Sequence, residues 1–250
     1  MNFHCRRPTK LILIGTPEEL ASFTVRKLVT INTHCTNLPI ICEEATFEEC
    51  RRLSHLAKSL VLVVEFSNHA NDGGENITVA TSRTMMKYIA SVGMKSRDHA
   101  VNPHSALVGT SVAEEAMIDC WLSFIWKSID LPLQALLSLL KNDVPNATRQ
   151  AEIEGIEKGI SISLKKIERH LSNQQSPSPG SDDYRPLAIV AATNGATNDS
   201  PYTLADLSLA ITLRHMLDKN IGVHALTSEE NPRLCRWKEL IHTALGLSRD

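Results

Sequence analysis

The sequence predicts an α/β unit followed by an all-helical one. Three observations carry this. Short apolar runs alternate with helical patterns as far as Val92. From Val112 onward the apolar residues recur at helical steps. Between them Gly93 to Gly109 is polar, contains Pro103 and reads as a linker. The expected boundaries are therefore 1–92, 93–111 and 112–250. A chain of 250 residues is long enough for two small domains that need no disulfide or metal staples.

Leu11–Ile14 reads as the first strand. Pro17–Thr30 reads as a helix with Leu20, Phe23, Leu28 and the Lys27 stem inward. Pro39–Cys42 is the second strand, and Glu43–Lys58 a helix facing inward through Phe47, Cys50, Leu53 and Leu56 or Ala57. Leu60–Phe66, rich in Val and Leu, is a buried strand. Asn71-Asp72-Gly73-Gly74 is a hairpin turn, and Ile77–Ala80 returns from it. Ser82–Val92 closes a βαβαββα order as a helix.

In the second part Val112–Ser128 places Ala113, Met117, Cys120, Trp121, Phe124 and Ile125 on one side. Pro132 should kink or end that helix. Ala147–Leu171 repeats Ile153, Ile156, Ile160, Leu164, Ile167 and Leu171 at helical steps. Gly155 and Gly159 beside that stripe suggest close packing. Ser172–Asp183, with Ser-Pro-Ser-Pro-Gly, reads as a surface loop, with phosphoregulation the sharper alternative. Thr203-Leu204-Ala205-Asp206 is a capping box, with Tyr202 and Leu207 at the positions of a hydrophobic staple. The helix it starts is apolar on most sides, so it should lie inside its domain.

Composition excludes several classes. Lys and Arg number 26 against 28 Asp and Glu, a net charge of −2, which does not suit a strong direct nucleic-acid binder. Arg51-Arg52 and Lys165-Lys166 are isolated basic pairs on solvated helix faces. Apolar runs such as Leu60–Val64 are too short to cross a membrane. The polar, basic start carries no secretory signature, so the six cysteines are expected to be reduced thiols in the cytoplasm. The sequons at Asn76, Asn146 and Asn198 then carry no glycan. No cysteine or histidine spacing suits zinc, and no phosphate loop, GxGxxG or GxSxG elbow occurs. No cofactor is expected on these grounds.

The residues resemble a known family. A βαβαββα unit followed by helices resembles the glutathione transferase fold, a thioredoxin-like subdomain plus an all-α one. Thr203–Asp206 matches the capping box of that family's buried helix, and Thr81–Ala90 resembles its segment after the fourth strand. Asn231-Pro232-Arg233-Leu234-Cys235-Arg236-Trp237 resembles its Pro-x-x-x-Arg-Trp element. That element, with Trp121–Phe124, is most similar to the GST-like domains of the translation machinery. These occur in the elongation factor one gamma subunit, aminoacyl-tRNA synthetases and multi-synthetase scaffolds.

The resemblance implies three glutathione contacts. A hydroxyl near the first strand's end would be Thr16 or Ser22, although Thr16 before Pro17 also reads as an N-cap. A cis-proline before the third strand falls on Leu62, where a cis bond costs about 2.5–4 kcal/mol. The acidic or amide residue before Ser82 is replaced by Thr81. The expectation is therefore a non-catalytic assembly module with no catalytic residue, a glutathione-dependent transferase being the alternative. Its partners would be other GST-like domains, synthetases, elongation factor subunits or a second copy of the chain. Arg236, then Arg233, are the interface candidates beside Trp237, whose spacing with Leu234 and Ile241 places it in the core.

Overall fold

The computed structural model describes residues 8–36, 38–57, 59–66, 76–96, 107–109, 111–141, 147–173, 202–222 and 226–246. The Asn71–Gly74 turn, most of the 93–111 linker and positions 174–183 lie outside them. The chain divides into two compact units, Met1–Ser105 and Ala106–Asp250.

The first unit is built on four strands: β1 (Pro8–Gly15), β2 (Ile40–Glu44), β3 (Leu60–Phe66) and β4 (Ile77–Ala80), in sheet order β2-β1-β3-β4. β2 runs parallel to β1, while β3 is antiparallel to both β1 and β4. The central strands read as continuous apolar runs because both of their faces are covered. Ile12, Val61 and Val63 join Cys50 and Ala57 in one cluster. Leu11, Leu13, Leu62 and Val64 alternate with them and are fully buried on the other face.

The helices are α1 (Pro17–Leu20), α2 (Phe23–Cys35), α3 (Phe47–Leu53) and α4 (Ser82–Ser96). The expected first helix is thus two, because Ser22 starts a new one by accepting the Val25 amide at 3.3 Å. α2 and α4 pack together through buried residues that include Leu28, Ile31, Met85 and Ile89. Lys27 is buried, with Nζ 5.5 Å from the Phe23 ring centroid. α4 runs to Ser96, four residues into the expected linker.

The Glu43–Lys58 expectation needs correction. Glu43 and Glu44 belong to β2, and the helix begins only at Phe47. Its start is fixed by a capping box between Thr46 and Glu49, a Thr-x-x-Glu spacing already visible in the sequence. Of its residues only Cys50 is buried, while Phe47, Leu53 and the following Leu56 are exposed. At 100° per residue Phe47 and Leu53 stand either side of Cys50, so a helix of two turns buries only the middle position.

The second unit holds α5 (Val112–Ile125), α6 (Leu131–Lys141), α7 (Ala147–Asn173), α8 (Leu204–Asp218) and α9 (Pro232–Ala244). Pro132 does not end the helical run. A wide π-type turn, Trp126–Asp130, joins α5 to α6, and the Leu131 amide reaches back five residues to Trp126. The ladder therefore changes register directly before the residue that has no amide. The buried residues of α5 are Ile118, Leu122 and Ile125, of which only Ile125 belongs to the expected stripe. Ala113 and Cys120 of that stripe are exposed and Trp121 and Phe124 are half-buried. This helix carries apolar residues on most sides, so the sequence does not single out one face.

Every residue from Leu204 to Leu213 of α8 is buried, as the apolar circumference requires. Gly155 and Gly159 do not mark close packing. A Cβ added at either meets nothing within 4 Å.

Candidate functional site

The strand register brings several of the expected site residues to one end of the first unit's sheet. Gly15 pairs with Leu60, and Val61 with Ala80. Thr16, Ser59 and Thr81 therefore follow or precede three neighbouring strands at the same edge. α1 and α4 begin there, which aims backbone amides at that edge.

The groups at this edge are engaged within the chain. Thr16 caps α1: its Oγ1 accepts the Glu19 amide at 3.4 Å, with Pro17 at the first helical position. The Thr16 amide donates to the Ser59 carbonyl at 3.2 Å. The Cys50 thiol lies 3.7 Å from that same carbonyl and 3.8 Å from the Ile14 carbonyl. Burial pushes the Cys50 thiol up, and Glu49 adds to the shift. A buried thiol held protonated is a packing group, not a nucleophile. A Cβ at Gly15 would lie 2.9 Å from Leu60 Cδ1 and 3.1 Å from Ser59 O, so a side chain there would force both neighbours to shift.

Thr81 sits at φ 78, a left-handed backbone that β-branched residues rarely adopt. Such strain costs on the order of 1–3 kcal/mol. Its hydroxyl lies 2.9 Å from that of Thr84, and its carbonyl accepts the Met85 amide at 3.0 Å. Ser82 is half-buried as the first residue of α4.

Leu62 is not at this edge. It is the third residue of β3, fully buried and paired with Leu13 and Val79. The position at the entrance to β3 belongs to Ser59 and Leu60 instead. No proline lies between Pro39 and Pro103, and no cis peptide bond occurs among the described residues. The sequence places Cys50 inward but assigns neither it nor Ser59 and Gly15 to this edge, because that placement depends on strand register, which the apolar run Leu60–Phe66 does not reveal.

In the second unit the Thr203–Asp206 box is closed. Asp206 Oδ2 accepts from the Thr203 amide at 2.8 Å and its hydroxyl at 2.6 Å. The Asp206 amide lies 3.4 Å from Thr203 Oγ1. Tyr202 and Leu207 are both buried beside it. The other oxygen of Asp206 accepts the Trp237 indole N–H at 3.2 Å. Trp237 is thus buried and takes no part in an exposed face, whereas Arg233 and Arg236 are exposed.

Three further polar links were not legible in sequence. Thr212 donates to the buried Asp130 of the π turn at 2.8 Å. Glu168 of α7 accepts the amides of Arg233 at 3.2 Å and Leu234 at 2.7 Å, capping α9 across the fold. His242 places Nε2 3.1 Å from the Ala210 carbonyl, and burial lowers its pKa. A carbonyl can only accept, so Nε2 carries the proton.

Comparison with solved structures settles the architecture. Poplar glutathione transferase F1 superposes with a TM-score of 0.61 at 18% identity, over 94% of this chain and 92% of that one. A glutathione transferase family member from Pseudomonas fluorescens, with two glutathione bound, gives 0.58 at 14% identity over 97% and 91%. One from Burkholderia graminis, with two glutathione molecules per subunit, gives 0.61 at 13% over 96% and 87%.

The chain has the glutathione transferase fold.

A scan of protein-family models finds no match, and neither does a search of curated proteins. In this fold's terms, the first unit is the thioredoxin-like subdomain and the second the all-helical one. Among the described residues no helix is long and apolar enough to cross a membrane, and no group of three His, Cys, Asp or Glu could hold a metal ion.

Proposed function

We propose that this glutathione transferase-like chain is a non-catalytic interaction module that assembles a translation-related complex, of the multi-synthetase or elongation factor kind. One observation carries the reading. At the sheet edge where glutathione would lie, Thr16 is an N-cap, Ser59 accepts from Thr16 and Cys50, and Thr81 pairs with Thr84. No proline precedes β3 to preorganise a backbone contact, and Thr81 offers no carboxylate for an ammonium group.

The partner-facing element in this reading is α9. Buried Trp237 fixes the helix through Asp206, which leaves Arg236 and Arg233 on its exposed side. Guanidinium groups suit such a role because they stack and form bidentate pairs. The test is affinity purification from lysate with mass spectrometry, followed by size-exclusion chromatography of Arg236→Ala with the partner found. Synthetases or elongation factor subunits should co-purify, and the variant should weaken the complex by about 2–5 kcal/mol. A complex that survives the substitution at sub-micromolar concentration places the interface elsewhere.

A second reading, a glutathione-dependent transferase, is favoured by the glutathione bound in the Pseudomonas and Burkholderia structures. Thr16 and Ser22 also accept through oxygen in their caps, which leaves each hydroxyl proton to donate.

A further inference from the structure

Glu168 occupies an unusual position. It lies on α7, yet its carboxylate satisfies the first two amides of α9 that need an acceptor, Arg233 and Leu234. Asn231, the residue at the N-cap position of α9, makes no side-chain cap bond. A helix start that normally relies on its own neighbour here depends on a side chain more than sixty residues away in sequence. Lys165 and Glu230 pair at 3.0 Å and hold the same two segments together from the outside.

Ser172 completes the arrangement. Its hydroxyl donates to Glu168 Oε1 at 3.3 Å, the same oxygen that accepts the Arg233 amide. Ser172 is exposed and lies in the last turn of α7, where carbonyls have no intrahelical partner and the backbone opens readily. Arg169 stands three residues before it and is exposed, with Lys165 and Lys166 one turn further back. A protein kinase that reads basic residues through acidic groups in its peptide groove would find that charge directly upstream of an accessible hydroxyl.

We infer that Ser172 is a phosphorylation site whose modification releases the first turn of α9 from Glu168. In the transfer, Ser172 Oγ attacks the γ-phosphorus of ATP, supplied with a protein kinase. The bond from that phosphorus to the β–γ bridging oxygen breaks, ADP leaves, and the hydroxyl proton passes to the kinase base and then to solvent. Two changes follow at Glu168. The hydroxyl that donated to Oε1 no longer carries a proton. A group of about −1.5 to −2 charge takes its place beside the carboxylate. The phosphate also sits at the C-terminal, negative end of α7, where the helix dipole opposes it. Each effect drives the Glu168 side chain and the end of α7 apart, and the Arg233 and Leu234 amides lose their acceptor.

The test uses the full chain, ATP and a protein kinase selective for basic upstream residues, with the site mapped by mass spectrometry and amide exchange followed by NMR. Phosphate should appear on Ser172 and be lost in Ser172→Ala and strongly reduced in Arg169→Ala. Exchange at Arg233 and Leu234 should accelerate about tenfold on phosphorylation, the change expected when a cap of ordinary strength is lost. In Glu168→Gln, which removes the charge that the phosphate would repel, phosphorylation should leave those amides nearly unchanged. Failure of the kinase to modify Ser172 while it modifies a peptide of residues 165–172 overturns the assignment of the site. Unchanged exchange in the phosphoprotein overturns the release. Slower exchange overturns it too, since the phosphate would then have replaced Glu168 as the cap.

Discussion

Two capping boxes with the same grammar start helices in the two units of this chain. Thr46 and Glu49 start α3, and Thr203 and Asp206 start α8. In both, the acidic oxygen accepts the threonine amide and hydroxyl at 2.6–2.8 Å. The surroundings differ completely. Glu49 is exposed and its box serves only a two-turn helix. Asp206 is fully buried, and its second oxygen also accepts the Trp237 indole at 3.2 Å. Identical local chemistry therefore only starts an element in one place, and in the other it starts one and joins it to a second. Water competes for every bond of the first box, while the second is shielded from it, so each bond lost there costs more.

Substitutions break this comparison in a defined order. Asp206→Ala should be the most damaging, about 2–5 kcal/mol, because it removes a cap and leaves the indole N–H buried without that acceptor. Urea unfolding checks it. Adding Trp237→Phe to Asp206→Ala should recover part of the loss, with a coupling of about 0.5–3 kcal/mol in a double-mutant cycle. Additive losses would show that the indole bond contributes nothing. Thr203→Ala should lower stability by about 0.5–2 kcal/mol, and Glu49→Ala should shift the melting temperature by less than that variant does.

The smallest effect is one of pH. The Thr46 amide, then the Thr46 hydroxyl, hold the Glu49 carboxyl below its ordinary value of 4.5. A folded value below the unfolded one stabilises the fold above pH 4.5, and that contribution is lost as pH falls through the folded value. Thermal melts between pH 6 and pH 3 should therefore drop slightly more steeply for the native chain than for Glu49→Gln.

The comparison also explains what the sequence could reveal. Both boxes join residues three positions apart, so their spacing is visible, and the Thr203 box is read directly while the Thr46 box is overlooked beside the longer apolar pattern. Bonds such as Asp206 to Trp237, Asp130 to Thr212 and Glu168 to Leu234 join residues 31, 82 and 66 apart, and no local pattern encodes them. Strand existence is legible in Leu60–Phe66, but its register is not. That is why Leu62 is expected at a strand entrance that Ser59 and Leu60 occupy. The βαβαββα order survives because it depends on element type, whereas inner faces fail on short or evenly apolar helices such as α3 and α5.

The same reasoning applies to the sheet edge. Thr16, Ser59 and Thr81 are polar groups gathered at one end of the sheet, and each has an internal role. With these groups engaged inside the chain, no site for the tripeptide is expected. Isothermal titration calorimetry of the full chain with millimolar glutathione tests this most directly. No saturable heat should appear up to about 1 mM, the concentration that corresponds to −4.1 kcal/mol. A dissociation constant well below 1 mM, abolished by Thr16→Val or Ser82→Ala, would contradict the non-catalytic reading and favour a glutathione-dependent one.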